Sequence, residues 1–342
     1  MNRMMSWRPI LEKLKSKLSV WKAKMVLESL PTYYMSIFDA PVGVINSLEK
    51  IRRQFVWGGP DCNKSINWIA WEKIMSPKNV GGLGLGSIRA LNLALLTKWL
   101  WKLKNEPNSL WVKIIMGLHN LSAVQNSNQI KGRWTGVWRN IVKRKIALEK
   151  INIPLEEILH SGDPQAGQVS PYVVDGEFSV AGLRERIERA NFPVCDGYFP
   201  WLKTVPLKVS SFVWRAKQNK IPSAGALRNR GSKETGGHIL VECPVAKEVL
   251  SAILHWCNIP VTDFQTVQNV IDFAIKWGNY PKRRKTLITI LFGVFWGLWR
   301  ARNDRIFNKI ETEPVKIISI VKAQTFVWMK HRGGNNNLEW RV

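Results

Sequence analysis

The sequence predicts a predominantly all-α fold in two helical lobes joined by a Gly/Pro-rich loop, with little β structure. Three observations predict it. Apolar residues recur at helical spacing in most segments. The segments begin and end at residues suited to helix caps. Strand signals shrink to one short run, FSV, at residues 178–180.

Taken in order, Pro41 opens VGVINSLEKIRRQFVWGG, where Val44, Ile45, Leu48, Ile51 and Phe55 form one apolar stripe and Gly58 and Gly59 stop the helix. The glycine-rich stretch SPKNVGGLGLGS then predicts a turn, with Ser87 placed to cap the helix IRALNLALLTKWLWKLKN. A nucleotide-binding loop is excluded on spacing: Ser87 stands where a dinucleotide fingerprint needs its third glycine, and no buried strand precedes it. Polar LSAVQNSNQIK (121–131) and SGDPQAGQVSPYVVDG (161–176) predict loops, the second a domain boundary. Beyond it come the helices AGLRERIERA, PLKVSSFVWRAKQN and PVAKEVLSAILHWC, and two more around GVFWGLWRARNDRIF and VKIISIVKAQTFVWMK.

Composition narrows the function. The chain has 342 residues, 45% of them apolar, enough for real cores. Its 51 Lys and Arg against 25 Asp and Glu give a net charge of +26, which points to a polyanionic partner. Eighteen Trp exceed what a core needs, and an indole face can pack, stack on a base or hold Arg. The cysteines Cys62, Cys195, Cys243 and Cys257 are widely spaced, and the opening MNRMMSWRPI has no apolar signal core. Both predict a reduced, intracellular protein, nuclear or cytoplasmic and not secreted. The apolar run at 286–299 has 14 residues where a bilayer needs roughly 20. It predicts a buried helix, with a membrane-surface anchor as the alternative.

The catalytic inventory is thin. His119, His160, His238, His255 and His331 stand far apart, and no HExxH, GxSxG or phosphate-loop pattern occurs. Glu156 and Glu157 are adjacent and point to different helix faces. Basic clusters carry the functional case. Arg3, Arg8, Lys13, Lys15, Lys17, Lys22 and Lys24 form the first, Lys143, Arg144 and Lys145 the second, and Lys282, Arg283, Arg284 and Lys285 with Arg300, Arg302 and Arg305 the third. Trp7, Trp21, Trp138 and Trp299 are interleaved as candidate stacking faces. Such clusters predict salt-sensitive, nonspecific binding of RNA or single-stranded DNA, with no membrane partner and no small-molecule substrate. A nonfunctional remnant or a scaffold, without a physiological nucleic-acid ligand, is the alternative.

Residues 29–59, SLPTYYMSIFDAPVGVINSLEKIRRQFVWGG, and the following WIAWEKIMSPKNVGGLGLGSIRALNLALLTKWLWK resemble the region after the polymerase domain in plant LINE (non-LTR) retrotransposon reverse transcriptases. PLKVSSFVWRAKQNKIPSAGALRNRG and HILVECPVAKEV are similar to the zinc-binding module that ends those polyproteins, and FGVFWGLWRARNDRIF to the segment after it. The resemblance implies a helical region following the polymerase over residues 1–160, a linker at 161–176, a degenerate zinc-binding-like domain at 177–260 and a C-terminal helical region at 261–342.

Departures from the family pattern set further expectations. The family's two-metal chemistry uses paired aspartates, whereas this chain has eight Asp and no Asp-Asp pair. The chain is expected to lie downstream of that centre and to be noncatalytic. Four N or S ligands hold structural zinc. The family's CxxC is missing here, and only His238 and Cys243 keep their HxxxxC spacing. No cofactor is expected, zinc included.

Overall fold

The computed structural model describes residues 6–9, 11–12, 32–57, 68–119, 136–159, 162–163, 168–169, 171–192, 197–223 and 235–333. They are predominantly helical, as the apolar periodicity predicts, with β structure limited to four two-residue strands. The chain divides into two compact units, Met1–Gly197 and Tyr198–Val342.

The first unit is built around one helix. Its elements are α1 (Val42–Trp57), α2 (Trp71–Met75), α3 (Ile88–Asn105), α4 (Leu110–His119), α5 (Gly136–Val142), α6 (Arg144–Glu149), α7 (Leu155–Leu159) and α8 (Val180–Asn191). Helix α3 is apolar nearly all round, so it must be buried nearly all round. Its Ile88 and Leu95 pack with Trp7, Met35, Val44, Leu48 and Ile51. Ala90, Leu93 and Trp101 meet Leu148, Ile153, Tyr172, Phe178, Leu183 and Ile187. Leu96 and Leu100 meet Trp138 and Ile141. Burying each large side chain stabilises by about 1.5–3 kcal/mol, and α3 contributes side chains to all three of these clusters. Ser87 caps it as expected, its side chain accepting from the Ala90 amide at 3.3 Å.

The stretch expected as a linker carries structure. Strands β1 (Gly162–Asp163) and β2 (Gln168–Val169) pair antiparallel, as do β3 (Val173–Val174) and β4 (Glu177–Phe178). Tyr172 and Phe178, beside and within the second hairpin, are core residues of the first unit. The division between units falls at residues 197 and 198. The loop expected at 121–131 lies outside the described residues.

The second unit comprises α9 (Leu207–Lys217), a π-helical turn at His238–Glu242, α10 (Pro244–Trp256), α11 (Val267–Lys276), α12 (Pro281–Asn303), a second π-helical turn at Asp304–Asn308 and α13 (Pro314–Arg332). The run at 286–299 lies inside α12, and its residues from Leu287 to Phe295 are all buried. Helix α13 runs antiparallel against it, Gly293 facing Thr325 and Gly297 facing Val321 and Ile317. A Cβ on Gly293 would fall on the Thr325 methyl, so glycine is what lets the two helices approach this closely. No described helix is long and apolar enough to cross a membrane.

Candidate nucleic-acid interface

The glycine-rich turn before α3 has the composition of a phosphate loop, and such a loop needs free amides aimed at the ligand. Here none from Gly82 to Ile88 is free. Gly82 donates to Pro77 O at 3.0 Å, Leu83 to Lys73 O at 3.3 Å, Gly84 to Ser76 O at 2.9 Å, Leu85 to Ile74 O at 3.1 Å and Gly86 to Met75 O at 3.0 Å. The Ser87 amide donates to Glu188 Oε1 at 2.7 Å and the Ile88 amide to Glu49 Oε1 at 3.0 Å.

Two ion pairs clamp the turn. Arg52 of α1, 1% exposed, donates to Glu49 and, through Nη2, to Leu85 O at 2.8 Å and Gly86 O at 3.0 Å. Trp71 Nε1 donates to the same Glu49 at 3.0 Å. On the other side Arg184 of α8 donates to Glu188 at 2.8 Å and to Leu85 O at 3.2 Å. Burial pushes the Glu188 carboxyl up from its ordinary range, while Arg184 and the Ser87 amide pull it down. A cleft of about 570 Å³ opens beside this clamp, lined by Asp39, Pro41, Arg89, Arg144, Ile187 and Glu188 among others. The turn is therefore a structural joint between α1, α3 and α8.

The three predicted basic clusters fare differently. Of the first, Arg8 is exposed and pairs with Glu12 at 3.3 Å; Arg3, Lys13, Lys15, Lys17, Lys22 and Lys24 lie outside the described residues. The second is largely consumed internally. Arg144 donates to Asp39 at 2.9 Å and to Asn140 O at 3.1 Å, and Lys145 stands 3.9 Å from Glu149. Lys143 occupies the half-buried turn before α6. Both Arg144 and Lys145 are held by carboxylates, which lowers what they can offer a phosphate.

The third cluster splits in two. Lys282–Lys285 sit in the first turns of α12 and Arg300–Arg305 at its end, roughly 27 Å apart at 1.5 Å per residue. At the far end Arg300 and Arg305 are exposed, and Arg302 lies 5.3 Å from the Trp299 ring. At the near end Lys282, Arg283 and Lys285 are exposed. Arg284 is turned back on the backbone, donating to Gly278 O at 2.8 Å and Trp277 O at 3.4 Å. Thr204 Oγ1 and Thr289 Oγ1 are 3.0 Å apart, and a Cβ on Gly333 would lie 3.5 Å from Thr204, so the chain at 204 and 333 meets α12 one turn beyond Lys285. Contacts between residues so distant in sequence leave no local signal.

The interleaved tryptophans are a correction to the expectation of stacking faces. Trp7, Trp138 and Trp299 are 1%, 2% and 8% exposed, so their rings are core; Trp21 lies outside the described residues. Indole is large and apolar, and burial wins wherever a core can accept it.

The zinc-type residues His238 and Cys243 lie at the start of α10. Cys243 is the N-cap of α10: its sulfur accepts from the Ala246 amide at 3.3 Å and donates to Ile239 O at 3.6 Å. His238 opens the π-helical turn, its carbonyl accepting from the Cys243 amide at 2.9 Å. Cys257 closes the same 13-residue helix, roughly 20 Å away, and burial pushes its thiol up to about 11, against a smaller opposing pull from Lys322. Among the described residues no group of three or more His, Cys, Asp or Glu is placed to hold a metal.

Fold and surface together define a class: a predominantly helical, strongly basic protein of two compact units. No family model matches it. The chain is similar to two Arabidopsis thaliana proteins. One is named "Putative ribonuclease H protein", 34% identical over 146 residues that cover 39% of this chain and 24% of that protein. The other is named "Uncharacterized mitochondrial protein", 25% identical over 123 residues that cover 36% of this chain and 80% of that protein. The chain thus spans about a quarter of the length of the ribonuclease-named relative.

Proposed function

We propose that the chain is a noncatalytic derivative of a plant non-LTR retroelement polyprotein that binds nucleic acid weakly and without sequence preference. The observation carrying this reading is the cluster of exposed cations at the head of α12, where no described residue forms an ion pair with Lys282, Arg283 or Lys285. Similarity to a protein named as a ribonuclease H supports it. So does the resemblance of residues 29–59 and 206–231 to LINE reverse transcriptases. The metal-binding Asp-Asp pair of that family has no counterpart in this sequence. His238 and Cys243 are the residue of its zinc module and hold no zinc on this reading.

Two measurements test it. With Mg²⁺ or Mn²⁺, primed RNA template and nucleotides, the purified protein extends no primer; templated extension sinks the noncatalytic reading. In salt titrations, contact with roughly four to six phosphates makes log K fall against log salt with a slope of about −3 to −4 for single strands. A slope near zero sinks the binding reading. One observation favours a scaffold instead: Leu110, Ile114 and Leu118 form an exposed apolar stripe along α4. Protein association abolished by Ile114→Lys, in a chain that ignores oligonucleotides, would establish that alternative.

A further inference from the structure

We infer that the head of α12 is a platform for single-stranded nucleic acid, in which Tyr280 stacks on a base and the exposed cations of the helix's first turns hold the flanking phosphates. The inference rests on the nucleic-acid reading of the second unit and adds to it the site and the strand state. Tyr280 stands at the N-cap of α12 and is 65% exposed. The Arg283 guanidinium lies 5.3 Å from the ring centroid, which orients the ring while its exposure leaves surface for a base. Beneath it, Arg284 ties the carbonyls of Trp277 and Gly278 to the helix, so the residue is mounted on a fixed turn.

Lys282, Arg283 and Lys285 are exposed along the first turns of the helix. Among the described residues no ion pair involves any of these three. The first turn of α12 moreover holds Lys282, Arg283 and Arg284 and no acid. Cations there oppose the helix dipole as well as each other. A polyanion relieves both repulsions. A cationic rim alone would suit any phosphate backbone, but a ring beside it selects unpaired bases, because in a duplex the faces of the bases are already stacked on one another.

The test uses the full chain, fluorescence anisotropy, a labelled oligodeoxythymidylate and a labelled hairpin duplex. Tyr280→Leu weakens binding of the single strand about ten-fold and leaves its salt slope unchanged. Tyr280→Phe restores the affinity, and the duplex is indifferent to both. Lys282→Gln and Lys285→Gln together flatten the single-strand slope by about 1.4. Arg300→Gln with Arg305→Gln, at the far end of α12, does not. Circular dichroism confirms that each variant keeps its helices. Equal loss on strand and duplex in Tyr280→Leu, no loss on either, or a slope carried by Arg300 and Arg305 overturns the inference while the binding reading stands. Competition by polyglutamate as effective as the oligonucleotide overturns it in favour of an acidic protein partner. A wild-type slope near zero removes the binding reading itself.

Discussion

Cys243, in a metal-type spacing, also holds a helix start. Its sulfur takes the Ala246 amide, one of the donors that every helix start leaves without an internal partner. Serine is a better acceptor in the same place. Cys243→Ser is therefore expected to hold or raise the thermal midpoint, and Cys243→Ala to cost about 0.5–1 kcal/mol in denaturant unfolding. A zinc ligand would give the opposite order, with stability and bound metal lost together on Cys243→Ser. Cys257 makes a second measurement possible. A thiol pushed up to about 11 is almost wholly protonated near neutrality, and only the thiolate alkylates. Peptide mapping after brief iodoacetamide treatment should find Cys257 unmodified in the folded protein and modified once it is unfolded.

At the scale of elements, the turn between α2 and α3 is tightly constrained. Gly86 has φ of +70°, and a Cβ there would fall on the Arg184 guanidinium. Gly86→Ala is expected to destabilise by about 2–4 kcal/mol, combining left-handed strain with displacement of the Arg184 to Glu188 pair. Across the turn, Glu49→Ala strands the Arg52 guanidinium in a core position and should cost about 3–5 kcal/mol. Replacing Glu49 with Leu and Arg52 with Met together should cost less than Glu49→Ala alone, because the desolvated charge leaves with its partner. A double variant that loses the sum of both single losses would show that the pair is not the unit holding the turn.

For the whole molecule, the charge dominates. A net +26 on 342 residues repels itself in the compact state more than in the expanded one. Salt screens that repulsion, with a Debye length of about 10 Å at 0.1 M. Raising sodium chloride from low to moderate concentration should raise the melting midpoint by about 2–5 °C, and a short single-stranded oligonucleotide at low salt should do the same by binding the folded form. A midpoint that falls with salt would mean that favourable ion pairs, such as Arg144 to Asp39 and Arg52 to Glu49, outweigh the net repulsion.

The order of residues alone settled the helical class, because periodicity over ten or more residues is local information and a helix satisfies its own backbone. It also placed the Ser87 cap, the buried character of 286–299 and the exclusion of a phosphate loop, all of which rest on neighbouring residues. Tertiary structure alone decided the rest. Whether a cation is free depends on carboxylates far away in sequence: Asp39 takes Arg144, while nothing described takes Lys285. Whether a Trp stacks or packs depends on what surrounds it, and Trp7, Trp138 and Trp299 went to the core. The meeting of Thr204 with Thr289 joins segments 85 residues apart. Spacing along a chain carries no trace of such a meeting, because the burial that drives it is summed over the whole unit and not over any one segment.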